Sequence, residues 1–475
     1  MSTPDTLPNA GARRWAEAPD VPVLHDGRWF TGAELEERSR VVAGRFAAAG
    51  LAPGDRLLLS GPTGIGFVTA HLAALRFGLV VVPVNPAYGA REVAHVVADC
   101  RPAAGVMASP EAAGWVRDAG GPRVVVTGLD VDLPDGPAPA LDVAGADDLA
   151  LIVYTSGTTG APKGASLTHA NLLAGARALT TAWHWTAQDR LVLALPLFHV
   201  HGLCVGLHGT LLSGGSAVLQ PRFEASGVLD AVAAHAGSLF FGVPTMYARL
   251  AESPRLRELS ALRLAVSGSA ALSPALFDAV EKASGQRILE RYGMSETLIT
   301  VSNPYEGERK PGTVGLPLPG VDLRLDEDTD EILLRAPSVM RGYWQRPEAT
   351  AESFSDGWFR TGDVGALDAD GYVSIVGRRK ELIISGGYNV YPREVEEVLR
   401  AHPGVRDAAV IGVPDATWGE AVTAFVEASG VAEAELLAHA RAQLAPYKRP
   451  KTVVLVTALP RNALGKVVKA QLRAD

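Results

Sequence analysis

Cysteine is nearly absent: Cys100 and Cys204 are the only two among 475 residues, which excludes a disulfide framework and a zinc site built from several thiolates. A reducing cytoplasm is the compartment this usage suits. No long basic run occurs and the formal net charge is −8, so nothing favours nucleic acid or an anionic membrane as a partner. No apolar stretch reaches the roughly 18 residues that cross a bilayer, and Met1 to Pro22 lacks the apolar segment of a signal peptide. Neither export nor membrane insertion is expected. Internal repeats and low-complexity tracts are also missing, beyond a general richness in Ala and Gly. What remains is a chain with 47% hydrophobic residues, able to bury a large core, and long enough for about two to four domains.

Against that plain background one run stands out. Tyr154-Thr-Ser-Gly-Thr-Thr-Gly-Ala-Pro-Lys-Gly164 packs three glycines, four hydroxyl residues and a lysine into eleven positions. Glycines let backbone N–H groups approach an anion, hydroxyls add donors, and Lys163 supplies a mobile positive charge, which together suit a polyphosphate. No Gly-Lys-Ser/Thr closes the run and it is not Gly-x-Gly-x-x-Gly, so neither a Walker A loop nor a dinucleotide fingerprint is present. A flexible surface turn is the bland alternative, and it does not require so dense a cluster. The spacing predicts a buried strand over Leu149 to Val153 before the run and a helix over Leu167 to Trp183 after it.

Apolar runs at Leu79 to Val84, Leu191 to Leu195, Leu239 to Phe241 and Leu262 to Val266 alternate with helical stretches, the rhythm of layered α/β structure. Prolines open helices at Pro274 and Pro392, where the missing N–H costs nothing. From about residue 380 a second pattern begins: strands over Val405 to Val413, Ala421 to Glu427 and Thr452 to Val456, a helix over Glu433 to Leu444, and a short terminal helix. This predicts a small α+β domain, with Gly377-Arg-Arg-Lys380 as the joint.

Four more motifs follow the phosphate loop in order: Pro196-Leu-Phe-His-Val-His-Gly202, Arg291-Tyr-Gly-Met-Ser-Glu-Thr297, Thr361-Gly-Asp363 and Pro460-Arg-Asn-Ala-Leu-Gly-Lys466. Together with Gly377 to Glu396 they resemble the motif set of the adenylate-forming superfamily, which contains acyl-CoA synthetases, peptide-synthetase adenylation domains and luciferases. Each motif alone is modest; their order through nearly the whole chain is specific. The resemblance implies an α/β fold, with a large N-terminal multi-layer domain over 1–378 and a small, mobile C-terminal α+β domain over 379–475 that rotates about Lys380.

It also implies the cofactors ATP and Mg²⁺, with CoA as co-substrate. ATP would be held by Thr155, Ser156, Gly157, Thr158, Thr159, Gly160 and Lys163, by Ser269, Ala270, Gly293 and Ser295, and by Tyr292, whose flat face suits adenine stacking. Asp363 would accept from the ribose hydroxyls with Arg378 alongside. Glu296 and Thr158 would hold Mg²⁺, a hard ion that takes one or two carboxylates together with substrate phosphates. Lys466 would otherwise read as a solvated surface charge; in the family its counterpart reaches the carboxylate and the α-phosphate, as electrostatic catalysis requires. Ser385, Gly386, Gly387 and Tyr388 would leave room for the pantetheine arm of CoA. Ser295 departs from the usual Thr but keeps the hydroxyl.

His199 and His201 invite a metal assignment, yet a His-x-His on a strand turns both rings to one face with no third ligand in view. In the family the first position lines the carboxylate pocket, so His199 is expected to touch substrate, with Ser267 and Met294. The stretches around Phe241, Val266 and Glu290 are similar to malonyl-CoA synthetases, where arginines matching Arg249 and Arg291 hold the distal carboxylate. A buried arginine without a counter-charge is costly, and a second substrate carboxylate would supply one. The alternative pairs these arginines with Glu290, Glu252 or another protein acid. Three readings therefore stand: a ligase for malonate or methylmalonate, a relative that adenylates another small acid for a different acceptor, and a non-catalytic nucleotide binder. Retention of Lys163, Glu296, Asp363 and Lys466 weighs against the last.

Overall fold

The computed structural model describes residues 6–155, 162–415, 417–462 and 465–472. Ser156, Gly157, Thr158, Thr159 and Gly160 lie outside the described residues. Two large sheets carry the N-terminal part. One has seven strands, in the spatial order 342–343, 163–168, 149–155, 80–83, 56–60, 104–107 and 125–127; the other has nine and includes the parallel run 289–294, 264–267, 239–242, 190–193, 216–219 and 22–26. Parallel strands need both faces covered. Leu57 and Leu59 accordingly join Leu191 and Leu193 in one central core, whereas Leu58 packs with Val93 and Val96 on the outside of its sheet. Alternation along a strand produces this division.

The helix Ile65–Phe77 shows why the two sheets stay together. Phe67 through Phe77 are all buried, as expected of a mostly apolar helix enclosed between layers, and its one charge, Arg76, is paired with Glu36 and Asp142. Each fully buried Leu, Val or Phe contributes about 1.5–3 kcal/mol, so this helix is a principal anchor of the large domain. Outer helices such as Ala225–His235, Pro244–Ala251 and Pro274–Ser284 cover the far side of the nine-stranded sheet. A third, antiparallel sheet contains Glu331–Arg335, Trp358–Leu367 and Val373–Arg378. After the short turn Arg379–Glu381, a fourth sheet formed from 383–385, 388–390, 405–415, 419–428 and 452–456 carries the helices Pro392–Arg400 and Glu433–Gln443. A large N-terminal α/β domain and a small C-terminal α+β domain are both present.

Two expectations change. The run after Leu149–Thr155 does not lead directly into a helix: Lys163–Thr168 is a strand that pairs antiparallel with Leu149–Thr155, and the helix begins only at His169. Thr168 fixes that start through a reciprocal cap, with Asn171 N–H donating to Thr168 Oγ1 at 3.1 Å and Thr168 N–H to Asn171 Oδ1 at 2.9 Å. The second concerns His199 and His201, which are not on a strand. His199 lies in the turn after Pro196, and His201 opens a π-helical segment, His201–Leu207, so a shared face cannot be inferred from strand alternation.

Candidate active site

Asp363 sits within the strand Trp358–Leu367, opposite Arg378 on its partner strand. That register brings Arg378 Nε to 3.1 Å from Asp363 Oδ1, and Tyr292 donates its hydroxyl to Oδ2 at 2.7 Å. Thr361 Oγ1 accepts the Asp363 N–H at 3.1 Å and donates to the Ile332 carbonyl at 2.8 Å. Behind the turn, Glu331 accepts from the Gly362 N–H at 2.9 Å and pairs with Arg360 at 2.7 Å and Arg379 at 3.2 Å. Burial, reinforced by the Asp363 charge, holds the Tyr292 phenol protonated well above its ordinary pKa.

Glu296 is buried beside this network and accepts from the Tyr343 hydroxyl at 2.9 Å. Lys163 Nζ stands over the ring of the same tyrosine, 5.1 Å from its centre. Burial raises the Glu296 pKa, opposed by backbone and Tyr343 hydrogen bonds. A nearby cation would reverse that pressure, so this buried carboxylate, which accepts from a phenol and feels the Arg378 charge but forms no ion pair among the described residues, fits a hard metal ion. Thr155 lies opposite Lys163 in the strand pair. Gly293 and Ser295 are half-buried around the same turn, while Ser269 and Ala270 are exposed at the end of the Leu264–Ser267 strand.

Lys466 belongs to the small domain yet lies against this cleft. Its backbone is fixed by Asn462, whose Oδ1 accepts the Lys466 N–H at 3.0 Å, and a Cβ on the adjoining Gly465 would stand 3.0 Å from Thr245 Oγ1 of the large domain. Desolvation in the cleft and the Arg378 charge lower the Lys466 pKa, while Glu381 and Asp363 oppose them. Within the small domain Lys469 pairs with Glu381 and Glu396, both at 2.8 Å, and across the joint Arg393 donates to the Ile375 carbonyl of the large domain. Lys380 is exposed within that joint. Gly386 and Gly387, with φ of +60° and +81°, make the two-residue hairpin that glycine alone enters readily; Tyr388 beyond it is exposed and stacks on Tyr447 at 4.7 Å. Ser385, before it, is fully buried.

The other end of the cleft is differently built. Strand alternation sends Arg291 to the opposite face from Glu290 and Tyr292. Arg291 is 3% exposed, and its Nε and Nη2 have no hydrogen-bond partner. Its guanidinium lies across Gly268, where a Cβ would fall 2.4 Å from Cζ. Burial pushes its pKa down to about 9, with Glu290 opposing. Glu290 does not form an ion pair with it among the described residues: its Oε1 accepts the Leu272 N–H at 2.9 Å, and burial holds its carboxyl up at about 7.

Ser267, fully buried next to Gly268, has an unpartnered hydroxyl, and His199 Nε2 is likewise unpartnered. Burial pushes the His199 pKa down to about 4. Met294 is half-buried against the central core. Arg249 is not brought to Arg291: it is exposed on the helix Pro244–Ala251, with its guanidinium over the Phe223 ring at 5.1 Å. Tyr343 and Glu331 were not singled out from sequence, since their contacts to Glu296 and Gly362 span 47 and 31 residues without a local motif.

The geometry and the motif order agree with a direct comparison. Residues 11–344 match the model for AMP-binding enzymes, and residues 394–466 that for the AMP-binding enzyme C-terminal domain. The chain belongs to the AMP-binding enzyme family. Among relatives of this adenylate-forming family, a feruloyl-CoA synthase of Amycolatopsis is 40% identical over 468 residues, covering 95% of each chain. A malonate–CoA ligase of Arabidopsis thaliana is 41% identical over 368 residues, covering 69% of this chain and 60% of the relative. The ATP-bound crystal structure of MatB from Rhodopseudomonas palustris is 39% identical and superposes with a TM-score of 0.91 over 98% of this chain and 97% of that one. The apo form of MatB gives 0.79, over 97% of each chain. The chain thus superposes more closely on the nucleotide-loaded form of MatB than on its apo form.

Proposed function

We propose that the chain is an ATP-dependent, AMP-forming acid–CoA ligase whose acid is a small dicarboxylate, malonate first and methylmalonate next. The buried, unpartnered guanidinium of Arg291 carries this reading. An aromatic or fatty monocarboxylate would leave that charge uncompensated, whereas a second carboxylate would accept from its free N–H groups. The feruloyl-CoA synthase relative makes an aromatic acid the competing candidate, and the empty donors at Arg291 and Ser267 weigh against it.

In the proposed reaction a substrate carboxylate oxygen attacks the α-phosphorus of ATP, the bond to the β-phosphate oxygen breaks, and pyrophosphate leaves with acyl-AMP formed. No enzyme nucleophile is required. Tyr292 and Asp363 orient adenosine, with Ser269, Ala270, Gly293, Ser295 and Arg378 nearby; Lys163 and the loop before it hold the departing phosphates. Lys466 neutralises charge at the carboxylate and α-phosphate. Mg²⁺ would be held by Glu296, and by Thr158 outside the described residues, and would supply charge neutralisation at the phosphates. Residues 379–475 then rotate about Lys380, bringing Ser385 to Tyr388 to the cleft, where the CoA thiol attacks the acyl carbonyl and AMP departs. His199 and Met294 line the acid pocket, and Arg249, exposed over the Phe223 ring, is left out of it.

A panel of malonate, methylmalonate, propanoate and ferulate, followed by pyrophosphate release, tests the reading. Malonate is expected to be used best, and Arg291→Ala to lower malonate kcat/KM by roughly a hundredfold while ATP binding persists. Faster turnover of ferulate or propanoate than of malonate would overturn it.

A further inference from the structure

His201 has no place in the reaction as described so far, yet it is 3% exposed and its Nε2 has no partner. Buried polar atoms are rarely left so without a reason. A metal role fails, because no group of three or more His, Cys, Asp or Glu capable of holding an ion occurs among the described residues. The ring instead lies at the Arg291 end of the cleft. Its Nδ1 is 3.4 Å from Ser269 Oγ, two residues beyond the unpartnered Ser267 hydroxyl, and Arg291 crosses Gly268 between those serines. Three sets of unsatisfied donors therefore surround one short segment.

We propose that His201 selects the acid by donating its Nε2–H to the distal anionic group of the substrate, beside Arg291 and Ser267, with Ser269 holding the imidazole in that tautomer. The inference rests on the reading that the substrate carries a second anion. The Ser269 hydroxyl donates to the Nδ1 lone pair, which leaves the ring proton on Nε2. Burial and the neighbouring Arg291 charge keep the imidazole neutral. One guanidinium with two neutral donors then matches the single negative charge of one carboxylate, whose two oxygens accept about four hydrogen bonds. A monocarboxylate of the same length leaves all three donors empty. Ser269 is a positioning residue, and its φ of +69° is one that a side chain other than glycine seldom adopts.

Pyrophosphate release with malonate and with propanoate, which has the same carbon chain without the distal charge, tests this. His201→Leu is expected to raise malonate KM roughly tenfold to a hundredfold and to move propanoate KM by less than about threefold. His201→Gln, which retains an N–H donor, should recover most of the loss. At saturating ATP, because Ser269 is also placed beside the nucleotide, Ser269→Ala should raise the malonate KM more than the propanoate KM, a difference that disappears in the His201→Leu background and that a purely structural role would not generate. Should His201→Leu fail to fold, the excess of the malonate over the propanoate KM rise in Ser269→Ala, at saturating ATP, must appear by itself. Equal effects on both acids would overturn the role of His201 alone. A wild-type enzyme that uses propanoate but ignores malonate would overturn this inference together with the proposed substrate.

Discussion

At the Asp363 end of the cleft, Asp363, Tyr292, Thr361 and Glu331 are tied to one another and to the backbone, whereas at the Arg291 end Arg291, Ser267 and His201 keep buried atoms with no partner. The contrast has a physical consequence. Partnered groups hold their geometry before a ligand arrives, which suits a nucleotide common to every reaction of the family. Unpartnered groups carry a desolvation penalty of about 1–3 kcal/mol each, more for a charge, and a ligand that satisfies them relieves it. Under the proposed function the first end positions and the second selects.

The largest expected effect removes chemistry shared by all acids. Lys466→Ala should reduce acyl-adenylate formation by about a hundredfold to a thousandfold with any acid used, as loss of a preplaced cation does. Thioester formation from supplied acyl-AMP should persist, because the proposed rotation carries Lys466 away from the cleft before CoA reacts. Measuring both half-reactions separately is the check, and equal loss of both would break the division of labour between the two domain orientations. A smaller effect, confined to the selecting end, is expected from Gly268→Ala. The new Cβ would stand 2.4 Å from Arg291 Cζ, so the guanidinium must shift. Malonate KM should rise about tenfold while ATP KM moves little. A matching rise in ATP KM would mean that the two ends are not independent.

At the nucleotide end the run Tyr154 to Gly164 points to a phosphate by its local composition, though Ser156 to Gly160 lie outside the described residues. Asp363 and Arg378, by contrast, read alone as ordinary loop charges and take a role only from the family resemblance. The bond between Tyr292 and Asp363 crosses 71 residues and needs the sheets to assemble first. The selecting end was harder. Glu290 beside Arg291 looked like a ready counter-ion, although strand alternation sends the two side chains to opposite faces. Reading His199 and His201 as a strand hid the isolation of His201, since the segment is helical from that residue. Arg249 follows the same logic: Tyr247 and Leu250 occupy the buried face of their helix and leave Arg249 outside. The cap formed by Thr168 and Asn171 was a local signal for the helix start, and Thr-x-x-Asn before an apolar run could have placed it.

The smallest effect addresses the claim that Arg291 has no protein counter-ion. Glu290 is buried and its carboxyl is held up at about 7 by desolvation, offset by the Leu272 N–H. Below about 4.5 the carboxyl is protonated in both folded and unfolded chains, so burial in the neutral form is fully stabilising. As pH rises the unfolded chain loses its proton first, and this stabilisation drains away until the folded group ionises near 7. The total is on the order of 3 kcal/mol at most, or several degrees in melting temperature. Glu290→Gln cannot ionise, so its melting temperature should fall less than that of the wild type between pH 5.5 and pH 8, with the two compared in the same buffers. If both proteins instead lose stability equally over that window, Glu290 is already charged in the folded state. The cations whose charges act on it are Arg393 and, less strongly, Arg291, and a charged Glu290 would give the selecting end a protein counter-ion and weaken its preference for a second carboxylate.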